Sequence, residues 1–147
     1  MIPLNNFLCL NCHKFVSLGE NIGTVNRNHC PYCLWSKHVD KDIPGDRKAL
    51  CQNLMKPIGL IFKYEGQDKW GKLKEGELML VHQCLSCDKI SINRIAGDDI
   101  PEEIIQIITT PQNLNGMTKT ILAKSQIKLL NIHNLQQIKQ QLYGEKI

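Results

Sequence analysis

The feature that most constrains this chain is a Cys-x-x-Cys pattern that occurs three times in its first ninety residues. Two thiolates at this spacing on a tight turn can bind one cation, and two such turns complete a tetrahedral zinc site. Six of the seven cysteines belong to these pairs, while Cys51 stands alone between the second and third pair. The pairs are Cys9 with Cys12, Cys30 with Cys33, and Cys84 with Cys87. The pattern predicts a zinc protein.

Seven cysteines and one histidine would complete two four-ligand sites. The spacing C-x2-C-x17-C-x2-C predicts that the first two pairs form one site, as in a zinc ribbon. Cys51, Cys84 and Cys87 then need a fourth donor. His38 follows Cys33 by five residues and has the freedom to reach. His82 is the alternative, but it lies two residues before Cys84 and would strain that turn. We therefore predict two Zn²⁺ ions, with His38 preferred over His82.

The residue after each cysteine pair is unusual for such turns. Glycine often occupies this position because it adopts a positive φ without strain. Here the three residues are His13, Leu34 and Asp88. Of these, only aspartate adopts that conformation readily, so we expect the first two turns to be less regular than those of a standard ribbon.

Length and composition limit the class of protein. A chain of 147 residues suits one ordinary domain, or a small metal-stabilised domain with an appendage. The N-terminus lacks the basic start and long apolar run of an export signal, and no apolar stretch approaches the roughly 18 residues of a membrane span. Paired cysteines in this setting favour metal binding over disulfides. We therefore expect a cytoplasmic protein with no membrane segment.

The pattern of residues predicts a small α+β fold: zinc-ribbon-like β-hairpins stapled by two zinc sites, followed by a helical extension. Strands are expected near both sides of the first cysteine pair and on both sides of the third pair. A short helix is expected from Arg47 to Leu54, capped by Asp46 and ended by Pro57. We place the zinc-binding domain at residues 1–99 and a basic, helical extension at residues 100–147.

The extension is expected to contain three helical segments. Asp98 or Asp99 is predicted to cap the first, which has Pro101 in its first turn. A second is expected from Thr118 through Leu130, and a third after Asn134. The last two are predicted to dock as a helical hairpin, and the alternative is a partly disordered tail that becomes ordered only on a partner.

Residues 27–31 spell RNHCP, the motif that names the bacterial RNHCP domain family. Further blocks that resemble this family follow in its order and cover roughly residues 5–100. They are His38-Val39-Asp40, Pro44-Gly45-Asp46-Arg47, Cys51, Met55-Lys56-Pro57, His82-Gln83-Cys84 and Asn93-Arg94-Ile95-Ala96-Gly97-Asp98-Asp99. The resemblance implies a compact bacterial zinc-binding domain and no particular activity.

Charge favours RNA as a partner without requiring it. The formal net charge is +4, and residues 116–147 carry five lysines against one glutamate. Nothing resembles a helix that would read the DNA major groove, so we predict a non-catalytic module that binds RNA, with the ribosome or another ribonucleoprotein as a candidate partner. Tyr32 or Trp35 could stack on a base. The polar candidates are Arg27, Asn28, Lys37, Arg47 and Arg94.

Two other function classes compete with this prediction. Zinc nucleobase deaminases use His-x-Glu followed by Pro-Cys-x-x-Cys, which His38-Val39-Asp40 and the Cys84 pair imitate. However, Asp replaces Glu and Cys51 competes as a fourth ligand, which would exclude an activated water. An enzyme acting on a nucleobase or phosphate is therefore less favoured. The second alternative is a protein–protein adaptor that docks a partner through the C-terminal extension. In any of these classes, Arg94 could have a structural role in place of RNA binding, through an ion pair with Asp98 or Asp99.

Overall fold

The computed structural model describes residues 6–17, 29–38, 51–63, 76–110 and 113–144. Within these ranges the chain has the predicted α+β class, with two antiparallel sheets and three α-helices. The strands are β1 Asn6–Leu8, β2 Phe15–Ser17, β3 Ser36–Lys37, β4 Leu54–Lys63, β5 Glu77–Cys84 and β6 Ile90–Arg94. The helices are α1 Pro101–Thr109, α2 Gly116–Lys124 and α3 Leu135–Tyr143, with a short 3-10 helix at Ile132–Asn134.

The larger sheet has the strand order β3-β4-β5-β6, and each neighbouring pair is antiparallel. Successive side chains along β5 point to opposite faces of the sheet. Leu80 accordingly joins one apolar cluster and Val81 joins another, and both side chains are fully buried. Because the two faces of this sheet are both covered, β5 reads as a nearly continuous apolar run rather than an alternating one.

The helices divide between the two faces of the larger sheet. Ile104 of α1 and Ile138 of α3 pack with Leu80 on one face, while Leu122 of α2 packs with Val81 on the other. The connection from α2 to α3 passes β4, where the Leu130 N–H donates to the Leu60 carbonyl at 2.8 Å. The prediction that the last two helices form a hairpin is therefore wrong, because the sheet separates them.

The same connection explains why α2 is shorter than predicted. After Lys124 the chain leaves the helix through two hydrogen bonds, from Gln126 N–H to Ala123 O and from Ile127 N–H to Leu122 O. With Gln126 at a φ of 57°, this is a Schellman motif, which ends helices. Leu129 and Leu130 thus lie outside the helix. Leu129 sits so close to Gly59 that a Cβ at Gly59 would come within 2.7 Å of it.

Pro101 begins α1 as predicted, but neither aspartate caps the helix. The N-cap residue is Ile100, which makes no side-chain capping bond. Asp99 instead turns inward, where its carboxylate accepts a hydrogen bond from Ala96 N–H at 2.8 Å. A buried partner therefore takes precedence over the local cap.

The helix predicted from Arg47 to Leu54 lies partly outside the described residues. In the described part the prediction is wrong, since Cys51 to Asn53 are not helical and Leu54 begins β4. Pro57 does not end a helix but lies within β4, beside a register shift between Pro57 and Gly59. A bulge tolerates proline because the strand ladder is interrupted there.

No helix in the described ranges is long and apolar enough to cross a membrane. The division into residues 1–99 and 100–147 stays a prediction. In the structure, helices from the second range and strands from the first contribute side chains to the same apolar clusters.

Candidate metal centres

The first cluster contains Cys9 and Cys12 from the β1–β2 hairpin and Cys30 and Cys33 from the turn before β3. Their four sulfurs all lie within 4.8 Å of one another. The Cys9 and Cys33 sulfurs are 3.6 Å apart, as are those of Cys12 and Cys30. These are the four residues that the sequence predicts for one site.

The second cluster lies at one end of the larger sheet. Cys84 ends β5 and Cys87 follows in the turn to β6. His38 directly follows β3, and Cys51 lies shortly before β4. The Cys51 and Cys84 sulfurs are 3.5 Å apart, and the Cys87 sulfur is 3.3 Å from His38 Nδ1. The structure thus brings His38, the preferred histidine of the sequence prediction, to the three remaining thiols.

The spacing of the donors suits a tetrahedral metal ion. Zn–S bonds of about 2.3 Å hold the sulfurs of a tetrahedral site roughly 3.8 Å apart, close to the distances in both clusters. A disulfide would need about 2.05 Å, and all seven cysteines are free thiols. Each cluster offers four donors from the chain itself. Both could therefore hold a metal ion whose coordination is complete without water.

The acidity of the thiols differs within each cluster. A hydrogen bond with Cys30 lowers the pKa of Cys33 to about 5, while the pKa of Cys30 itself is raised. In the second cluster, hydrogen bonding to Asn53 lowers the pKa of Cys51 to about 6, and burial raises that of Cys84. A bound cation favours the thiolate form of every ligand, so it would remove this competition for protons.

All three cysteine turns share one backbone geometry. In each, the N–H after the second cysteine donates to the carbonyl of the first, as in His13 to Cys9, Leu34 to Cys30 and Asp88 to Cys84. These three residues have φ values of 63°, 65° and 63°. The expectation that the first two turns are less regular is therefore wrong. A positive φ outside glycine costs roughly 1–2 kcal/mol, which is small beside the binding of a structural metal.

His82 does not belong to the second cluster. It is fully buried, and its Nε2–H donates to the Leu34 carbonyl at 2.6 Å while Nδ1 accepts from the Asn93 amide at 2.8 Å. Burial, helped by nearby His29, lowers the pKa of His82 to about 3, so this imidazole is neutral. Its role in the structure is to attach the end of the second cysteine turn to β5.

His29 attaches the other end of the same turn. Its Nε2 lies 2.6 Å from a carboxylate oxygen of Asp99, and both side chains are buried. The Ile100 N–H also donates to the Pro31 carbonyl at 3.2 Å. The turn that supplies Cys30 and Cys33 is therefore held against the larger sheet by a buried polar network on both sides.

This network is the part of the site that the sequence did not predict. The sequence offers His82 as an alternative ligand, and no local spacing links His29 to Asp99, which lies 70 residues later. A weak signal existed. His29 lies in the block of residues 27–31 and Asp99 in the block of residues 93–99, and both blocks contain polar residues that metal binding does not require.

The predicted nucleic-acid residues fall into two groups. Arg27, Asn28 and Arg47 lie outside the described residues. Lys37 is half-buried in β3, while Arg94 is exposed at the end of β6. The Arg94 Nε donates to Glu77 at 3.0 Å, so the ion pair that the structure gives this residue is with β5.

We expect Arg94→Ala to change the stability of the protein by less than about 1 kcal/mol. The Arg94 side chain is 68% exposed, and exposed ion pairs contribute little because water screens them. Thermal unfolding of the variant and the parent protein measures the effect. A fall in Tm of 10 °C would contradict this view and indicate a buried role.

Comparison with known proteins gives one family match. A search of curated proteins and a search of solved structures each found no match. The family model of the RNHCP domain matches residues 4–105, which include all eight residues of the two clusters. The chain belongs to the RNHCP domain family.

Proposed function

We propose that this protein is a non-catalytic module in which two structural zinc ions hold a scaffold that binds RNA. The observation that supports a structural role for the metal is that both donor sets are complete. The first cluster has four thiols, and the second has three thiols and one imidazole. Catalytic zinc sites keep a position open for water or substrate. With Cys51 beside His38, Cys84 and Cys87, the deaminase-like alternative has no such position.

Thiolate-rich tetrahedral sites select zinc over the harder divalent cations. We therefore expect two equivalents of zinc per chain when the protein is purified without chelators. Elemental analysis against protein concentration from amino-acid analysis measures the ratio. One equivalent or fewer would contradict the assignment of two zinc sites. Reduced thiols also fit a cytoplasmic location, which is part of this proposal.

The charge of the C-terminal region supports RNA as the partner. Residues 113–134 contain three lysines, all exposed, and no aspartate or glutamate. Lys119, Lys124 and Lys128 follow one another along α2 and the segment after it. A segment with exposed cations and no acids attracts the phosphate backbone of a nucleic acid. A ribonucleoprotein, including the ribosome, would offer the same chemistry.

Substitution of these lysines tests RNA binding without removing core residues. Deleting the extension is a poor test because Leu122 and Ile138 are buried. We expect the triple variant Lys119→Gln, Lys124→Gln, Lys128→Gln to bind RNA more weakly. The slope of log Kd against log salt should fall by roughly 0.7 for each lost phosphate contact.

A control variant that loses the same charge distinguishes an effect of these three lysines from an effect of net charge. Lys56→Gln, Lys63→Gln and Lys139→Gln remove the same charge from β4 and α3. This control should retain most of the parent's affinity and slope. Equal losses in both triple variants would indicate a general charge effect. No affinity of the parent protein above that of an unrelated protein of equal charge would refute RNA binding itself.

A further inference from the structure

A groove lies between the first and third cysteine turns. It has a volume of about 500 Å³, in the range of ligand sites, which is roughly 300–1,000 Å³. Its described lining residues are Leu10, Gln52, Asn53, Leu54, Leu85 and Ser86. Each of the two candidate metal clusters thus contributes a turn to one groove.

The two turns present the same residue to this groove. Leu10 follows Cys9 and Leu85 follows Cys84, so each leucine directly follows the first cysteine of its pair. These two residues are 45% and 57% exposed. Exposed leucines are common singly, but two at equivalent positions on facing turns form a paired apolar surface.

The remaining lining of the groove is polar and uncharged. Gln52 and Asn53 contribute carboxamides and Ser86 a hydroxyl, and all three residues are exposed. An unpaired nucleobase has apolar faces and hydrogen-bonding edges, which match apolar walls combined with amide groups. The Asn53 amide nitrogen donates to the Cys51 carbonyl at 3.0 Å, which fixes this side chain in the wall of the groove.

Charge beside the groove indicates an anionic ligand. A smaller hollow shares Leu10 and Leu54 with the groove and is also lined by Lys37. Among the described residues that line either hollow, none is aspartate or glutamate. A base in the groove would therefore have a cation nearby for an adjoining phosphate.

We infer that this groove binds an unpaired base of single-stranded RNA between Leu10 and Leu85, with Lys37 near the adjoining phosphate. The inference rests on the proposed RNA binding and adds its specific site. It also assigns a joint role to the two metal clusters, since each holds one wall of the groove.

Two oligonucleotides of equal length and charge test the inference. One is a single-stranded oligouridylate, and the other carries abasic sites in place of its bases. Fluorescence anisotropy gives Kd for the parent protein, for Leu10→Ala/Leu85→Ala, and for a control, Met117→Ala/Ile132→Ala, which removes exposed apolar side chains elsewhere. We expect the parent and control to prefer the base-containing strand by about tenfold and the groove variant to lose this preference.

Other results would overturn the inference. If the parent binds both strands equally, or the groove variant keeps the preference while retaining its metal content, bases do not enter this groove. If saturating oligouridylate leaves the methyl NMR signals of Leu10 and Leu85 unmoved, the groove serves another ligand, such as a protein segment. If the parent binds neither strand, the proposed RNA binding fails first, which distinguishes the two failures.

Discussion

Cys30→Ala is expected to remove one metal ion and to unfold the β1–β2 hairpin. Cys30 is fully buried, and the cluster around it consists mainly of the ligand cysteines with Val16 and Phe7. Little apolar packing would therefore replace the metal. Structural zinc sites contribute roughly 10 kcal/mol or more, which is comparable to the whole stability of a small domain.

The unfolding caused by Cys30→Ala should be local at first. The helix–sheet core contains Leu60, Leu80, Ile104 and Ile138, all fully buried, and Leu34 is the one residue directly beside the first cluster that packs into it. We therefore expect hydrogen exchange to accelerate at Cys9 and His13, whose N–H groups are bonded within the hairpin, while Val81 stays protected.

Cys87→Ala is the matched control, because it removes a thiol from the other cluster. It should lower the metal content by a similar amount but leave the Cys9 and His13 amides protected. A cooperative, fully protected Cys30→Ala protein would show that the first cluster does not stabilise the hairpin through a metal.

Asp99→Ala is expected to destabilise the metal-loaded protein by about 3 kcal/mol or more. The substitution leaves the buried His29 ring without its partner at 2.6 Å and removes the acceptor of the Ala96 N–H. Breaking a buried pair costs more than an exposed one because the remaining polar group stays away from water. For a chain of this size we expect Tm to fall by roughly 10 °C.

Denaturant unfolding of the zinc-loaded protein measures the change in free energy. Glu102→Ala, an exposed acidic residue three positions later, is the control and should shift stability by less than about 1 kcal/mol. Asp99→Asn should recover part of the loss because an amide oxygen can still accept a hydrogen bond. Equal stability of Asp99→Ala and Glu102→Ala would contradict a role for the network that holds the second cysteine turn.

The sequence alone determined the chemistry of the two clusters. The spacing of Cys9, Cys12, Cys30 and Cys33 is local information, because a Cys-x-x-Cys turn directs both thiols to one point wherever it occurs. Counting donors then restricted the second cluster to Cys51, Cys84, Cys87 and a histidine. The α+β class and the strands around the third pair also followed from local patterns.

Tertiary structure decided the choices that depend on distant partners. His38 and His82 were both candidates, and they separate because burial against Leu34 and Asn93 gives His82 other hydrogen bonds. Asp99 does not cap α1 but pairs with His29, although no local sequence rule connects these two residues. The sheet placed α2 and α3 on opposite faces because two apolar surfaces had to be covered. Residue spacing encodes local turns and ligand types, whereas the partners of buried polar groups depend on which segments the folded chain brings together.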